Sequence, residues 1–340
     1  MDSIPTSFDQ TFPADPPKDL RLVFLIGMPR SGTTWITWLL THHPEVVTFR
    51  HSGMFFCFEH LQKWWTRDIK FSSGTDLGED GYEMSSSAEK LEEEELCQLL
   101  RRTGSHVFER LTREAPNARA LVDQTPEHIA LTPFIRKIYP EACFLHVVRD
   151  PRAVYSSIRR AADSWAAPGS FPRNPVQIAR RWRDLVIKAR ALRETDANLF
   201  ELSYEKIHAE PEAELRRMHE WIGLGTNDEL VKKSVEASGI DKLRAKAKAP
   251  SGFFRRGSAS GWREELKASE IKAIEHEAGA EMQEWGYELL YPSQQKKPFS
   301  VRSYDAMSKL VKKKSGGRIM RFFEGTLART NRALELMRSD

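Results

Sequence analysis

Apolar and polar positions fall into blocks along this chain, and the blocks repeat in a fixed order. "LVFLI" (Leu22–Ile26) and "CFLHVV" (Cys143–Val148) are short apolar runs, the pattern of strands buried on both faces. "PEVVTF" (Pro44–Phe49), "ARALVDQTP" (Ala118–Pro126) and "NLFELSY" (Asn198–Tyr204) read as further strands, the second ending in a turn. Between them lie predicted helices at Thr34–His42, Glu89–Thr103 and His128–Tyr139. Others open at Pro151, span Pro175–Arg193, fill three shorter segments within 205–240, and cover Lys267–Trp285. Pro151 suits a first helical turn, and the acids of "EKLEEEEL" suit a solvated helix start. Residues 51–87 are mixed. An aromatic stretch, "MFFCFEHLQKWW", precedes a Gly/Ser/acid-rich one expected to be a surface loop. Strands separated by helices predict an α/β protein of three layers, a central, mostly parallel sheet flanked by helices. Ligands of such sheets sit beyond the carboxyl ends of the strands.

Composition narrows the class without naming a chemistry. The 340 residues are 40% hydrophobic and 29% charged, the profile of a soluble globular protein. A formal net charge of +4 suits an anionic ligand and gives no reason to invoke nucleic acid. Cys57, Cys97 and Cys143 are scattered without metal-like spacing, which suits a reducing cytoplasm. No cluster has the spacing of metal ligands, so no metal is expected. The proline-rich start is not expected to act as a signal peptide, and no run reaches the roughly 20 apolar residues of a membrane helix. The expected organisation is a flexible segment at 1–20, a main domain at 21–292 and a basic helical tail at 293–340.

The chemistry starts at "GMPRSGTTW". Gly27 and Gly32 have the spacing of a phosphate-binding P-loop, and the loop lies between a strand and a helix. Gly32 allows a tight turn, and the N–H groups of Ser31 to Thr34 point into a helix N-terminus, an anion site by construction. The lysine of a nucleotide triphosphatase is absent, and Thr33 stands in its place. Arg30 supplies a positive charge three residues earlier, and Thr33 and Thr34 add hydroxyls. A second cluster, "HVVRDPRAVYSS", sets Arg149 at a strand end and Ser157 two turns into the next helix. The two can converge on one phosphate, with the guanidinium as a bidentate donor. An Arg149–Asp150 structural ion pair is the competing reading.

These residues resemble a family. "GMPRSGTTWITWLL" resembles the 5′-phosphosulfate loop of sulfotransferases that use 3′-phosphoadenylyl sulfate (PAPS), and "VVRDPRAVYSS" resembles their 3′-phosphate motif. "ELSYEKI" and "FFRRGSASGW" resemble two later family stretches, the second with one more residue between Gly257 and Gly261 than the cytosolic small-molecule members show. The likeness runs over about residues 20–290. It implies a P-loop-like sulfotransferase fold and transfer of a sulfuryl group to an acceptor hydroxyl or amine, releasing adenosine 3′,5′-bisphosphate. It further implies that Arg30 lies beside the transferring group and that Ser31, Gly32, Thr33 and Thr34 cradle the phosphosulfate. Arg149 and Ser157 would hold the 3′-phosphate, Tyr204 would contact the adenine, and Arg255, Arg256 and Gly257 would complete the pocket.

The acceptor side is set by "DQTPEH" (Asp123–His128), which follows a predicted strand. Many family members carry lysine where Gln124 stands, so leaving-group stabilisation is expected to rest more on Arg30. A base must reach the acceptor's proton. His128 is the first choice, because neutral imidazole works near pH 7. Glu127 is beside it, and His51, just beyond the second strand, is the rival. His146, inside a strand, is expected to be structural. Phe55, Phe56, Phe58, Trp64 and Trp65 suit either an acceptor wall or the core.

Two other readings stand beside this one. A P-loop kinase or nucleotide triphosphatase would want lysine at position 33. A catalytically silent nucleotide-binding module is compatible with the loss of lysine at Gln124. The tail's apolar positions recur at helical spacing among arginines, which suits either packing on the domain or contact with a membrane surface or anionic partner.

Overall fold

The computed structural model describes residues 13–50, 52–72, 91–164, 166, 171–195, 198–239, 242 and 260–292. Five strands form one sheet: β1 (Arg21–Gly27), β2 (Val46–Arg50), β3 (Ala120–Gln124), β4 (Cys143–Val148) and β5 (Leu199–Ser203). Their order is β2-β3-β1-β4-β5, and every pairing is parallel. The expected mostly parallel sheet is wholly parallel among the described residues. β1 and β4 register Gly27 against Val147, so the loops that leave these central strands emerge side by side. The chain runs to one edge of the sheet after β1 and to the other after β4, a switch point at which such sheets bind ligands.

Alternate side chains of the central strands enter two cores, which makes three layers. Val23, Leu25, Val122, Leu145 and Leu202 pack on one face. They meet Ile36, Leu39 and Leu40 of α1 (Thr33–Thr41), and Leu215, Met218 and Ile222 of α8 (Pro211–Ile222). The short α7 (Tyr204–Ala209) and α9 (Asp228–Ala237) complete this layer through Ile207 and Val231. Phe24, Ile26, Leu121 and Phe144 line the other face. They pack with helices α2 (Met54–Ser72), α3 (Glu93–Thr112), α4 (Thr132–Ile138), α5 (Pro151–Ser164), α6 (Pro175–Thr195), α10 (Trp262–Glu265) and α11 (Ala268–Glu284). Fully burying one of these large apolar side chains stabilises the fold by about 1.5–3 kcal/mol.

Two helix expectations are corrected, and one stretch with no assigned element forms a helix. The aromatic stretch after β2 is a 19-residue helix, α2, with Phe55 and Phe58 in the core and Trp64 56% exposed. The helix expected at Glu89–Thr103 begins at Glu93 and runs on to Thr112. The helix expected at His128–Tyr139 is two pieces, a 3₁₀ turn at Pro126–Ala130 and then α4. Pro133 lies in the first turn of α4, where it lacks the N–H that would continue the preceding turn. His146 is buried with its Nδ1 3.1 Å from Glu201 Oε1, the structural role expected of it.

Candidate active site

The loop after β1 is shaped by close approach. Gly27 holds φ 146°, and a Cβ there would stand 2.5 Å from the Val147 carbonyl oxygen. Arg30 holds φ 78°, a left-handed conformation that costs a non-glycine residue about 1–2 kcal/mol. Two long-range contacts offset that cost. Arg149 Nη1 donates to the Arg30 carbonyl at 3.1 Å, and Arg30 Nε donates to Ser157 Oγ at 3.2 Å. Arg30, Arg149 and Ser157, predicted from two distant motifs, therefore meet at one end of the sheet.

Gly32 caps α1 with φ 96° and ψ 8°. A Cβ at this position would lie 2.3 Å from Tyr204 Cδ2, so the tyrosine ring closes directly under the glycine. The Arg149 guanidinium covers the same ring, 4.2 Å from its centroid. Tyr204 is 5% exposed and is the first residue of α7 rather than the last of a strand. Its ring supports the loop and Arg149 from below. Glu205 fixes that helix start, accepting from the Asp150 N–H at 3.1 Å, Ser203 Oγ at 3.0 Å and Tyr287 Oη at 2.9 Å.

The cradle holds hydrogen-bond donors. The N–H groups of Trp35 and Ile36 are turned on the Gly32 carbonyl, and those of residues 32–34, at the start of the helix, have no backbone acceptor among the described residues. Ser31 Oγ is fully buried and has no hydrogen-bond partner among the described residues. Buried donors of this kind at a helix N-terminus fit a phosphate or sulfate. Gln124, where a lysine was looked for, donates from Nε2 to Thr34 Oγ1 at 3.1 Å and lies 3.5 Å from Thr33 Oγ1.

Asp150 does not pair with Arg149. Its carboxylate takes Arg152 Nε at 3.0 Å and Nη2 at 2.8 Å, and Arg152 Nη1 reaches Glu275 Oε1 at 2.5 Å. Arg152 is 2% exposed and lies over Trp262, 4.0 Å from its centroid. This buried network anchors the start of α5, the helix that carries Ser157, to α11. Sequence reasoning missed it because Glu275 lies 123 residues from Arg152.

On the opposite side of β3, Asp123 accepts from Thr125 Oγ1 at 2.6 Å and from Ser52 Oγ at 3.0 Å. His128 Nδ1 lies 3.6 Å from Asp123 Oδ2. The His128 ring is fully buried, with the rings of Phe24, Phe55 and Phe56 centred 5.9, 5.4 and 5.4 Å away. Phe55 and Phe56 therefore wall in the histidine. Glu127 is partly exposed and faces Arg181, whose guanidinium burial pulls down while Glu127 partly restores it. His51, Arg255, Arg256, Gly257 and the basic tail lie outside the described residues. Among the described residues no group of acids, histidines and cysteines could hold a metal ion.

At the switch point of this parallel sheet, helix N-terminal donors lie beside Arg30, Arg149 and Ser157, an arrangement suited to an anion. The sulfotransferase family model matches residues 23–228, more than half of the chain, and the chain belongs to that family. The nodulation protein NoeE of Sinorhizobium fredii is 24% identical over 301 residues, 78% of this chain and 66% of the relative. Protein-tyrosine sulfotransferase A of Caenorhabditis elegans is 21% identical over 229 residues, 65% of this chain and 56% of the relative. In both, the match spans less than two thirds of the relative's length. The mouse sulfotransferase SULT7A1, solved in complex with PAP, superposes with a TM-score of 0.46 at 15% identity, covering 86% of this chain and 90% of that one.

Proposed function

We propose that this protein transfers a sulfuryl group from PAPS to an acceptor hydroxyl, within a catalytic domain spanning residues 21–292. The observation that carries the reading is the convergence of Arg30, Arg149 and Ser157 on a lysine-free phosphate loop in a chain of the sulfotransferase family. A 5′-phosphosulfate needs no metal-bound γ-phosphate, so the loop can dispense with the lysine that aligns one. Ser31, Thr33, Thr34 and the first N–H groups of α1 take the phosphosulfate. Arg149 and Ser157 take the 3′-phosphate, with Arg255, Arg256 and Gly257 closing over it and Tyr204 bordering the adenine.

By analogy with phosphoryl transfer, the sulfuryl group passes in line through a loose transition state. Negative charge grows on the departing 5′-phosphate, and Arg30 with the loop donors stabilises it where it forms. The acceptor loses its proton to a base drawn from His128, Glu127 and His51. Full burial of His128 behind three aromatic rings supports Glu127 or His51 ahead of it. A hydroxyl acceptor is carried over from the protein-tyrosine sulfotransferase relative.

The test is transfer of labelled sulfate from PAPS to a panel of phenolic, sugar, lipid and peptide-tyrosine hydroxyls. Turnover of His128→Ala, Glu127→Gln and His51→Ala at unchanged nucleotide affinity identifies the base. Transfer to none of the acceptors, with PAP still bound, favours the silent-module reading.

A further inference from the structure

Gln124 ends β3 with its side chain on the α1 face, 2% exposed. An amide nitrogen only donates, so the Thr34 hydroxyl, 3.1 Å away, accepts, as does the more distant Thr33 hydroxyl at 3.5 Å. Thr37, one turn further along α1, shows what such a hydroxyl otherwise does: it donates back to the Thr33 carbonyl at 2.9 Å. Thr33 and Thr34 stand in the first turn, with no helical carbonyl behind them to take their hydrogens. Having accepted from Gln124, each hydroxyl keeps its own hydrogen for another partner. The nearest builder of such a partner site is the loop itself, where Ser31 Oγ is also left unpaired among the described residues. Gln124 Oε1 makes no hydrogen bond among them either, so the amide acts through its donor side.

We infer that Gln124 is a positioning residue: it turns the hydroxyls of Thr33 and Thr34 into donors aimed at the anion in the loop. Two oriented dipoles then stand where a lysine would have placed a charge. This deepens the PAPS reading and rests on it.

The test is calorimetric titration with adenosine 3′,5′-bisphosphate. Gln124→Leu and Thr34→Val are each expected to weaken binding about tenfold, the size of one hydrogen bond to a charged group. The double variant binds no more weakly than Gln124→Leu alone, because Thr34→Val removes a donor that the loss of Gln124 has already turned away. Thr34→Ser, which keeps the hydroxyl, binds like the wild type. Gln124→Glu, of the same shape but an acceptor, turns the hydroxyls away from the ligand and weakens binding more than Gln124→Leu. Wild-type affinity in Gln124→Leu, or losses that multiply in the double variant, would overturn the inference while leaving the PAPS reading intact. A wild type that does not bind this nucleotide overturns both. If Gln124→Leu does not fold, Gln124→Glu takes its place: wild-type affinity in that variant would refute the inference, and so would equal affinities of Thr34→Val and Thr34→Ser.

Discussion

Gly32→Ala tests the packing that shapes the site. Gly32 sits at φ 96°, where an alanine is strained by about 1–2 kcal/mol. The new Cβ would also stand 2.3 Å from Tyr204 Cδ2 and 2.5 Å from Cε2, well inside contact distance. The ring must give way, and with it the Arg149 guanidinium stacked 4.2 Å from its centroid. Overpacking of this kind costs about 1–3 kcal/mol. Gly32→Ala should therefore lose about 2–5 kcal/mol in urea unfolding, with both sources acting. In a Tyr204→Ala background the clash is gone and only backbone strain remains, about 1–2 kcal/mol. The double-mutant cycle should then show a coupling of about 1–3 kcal/mol. Equal losses in the two backgrounds would show that Tyr204 does not close under the loop, and the reasoning would fail.

The buried ionisable groups and the site arginine each give a further expected outcome. His219 is fully buried, and burial, with smaller contributions from His43 and Arg216, lowers its pKa to about 4. The native state resists protonation, so stability is complete above the ordinary pKa near 6.5 and falls as the pH drops toward 4. The total loss is about 3 kcal/mol, and urea melts across that range should show it flattened in His219→Leu. Arg152→Ala leaves Asp150 and Glu275 buried without their shared cation and should cost about 3–5 kcal/mol in the same melts. Arg149→Ala should remove most of the thermal stabilisation that adenosine 3′,5′-bisphosphate gives, read by scanning calorimetry with and without the nucleotide.

The elements most legible in the sequence were those whose pattern is local. The run at Cys143–Val148 matches β4 residue for residue, because a strand buried on both faces needs no alternation to be recognised. Pro151 marked the start of α5 for the reason proline is tolerated there. Helix α2 was not legible: Leu61 and Trp64 are apolar yet exposed, so large apolar residues stand off the stripe of Phe55 and Phe58 and blur the 3.6-residue period. The two anion motifs were readable because each is contiguous. Their meeting was implied only by the family resemblance, since no local pattern shows that β1 and β4 lie side by side across more than a hundred residues. Tyr204 was singled out, yet its place beneath Gly32 depends on the β5–α7 corner folding back on the loop. Gln124 read as a lost cation, and only the geometry shows it hydrogen-bonded to the threonine it faces.

The central claim, that this lysine-free loop serves a 3′-phosphorylated adenine nucleotide, is tested most directly by comparing two ligands in thermal unfolding. At a concentration one hundred times its dissociation constant, adenosine 3′,5′-bisphosphate should add about 2.7 kcal/mol to the wild type's stability, and ATP with Mg²⁺ should add little. Stabilisation by ATP–Mg²⁺ with no response to the bisphosphate would contradict the account and return the loop to the nucleotide triphosphatases.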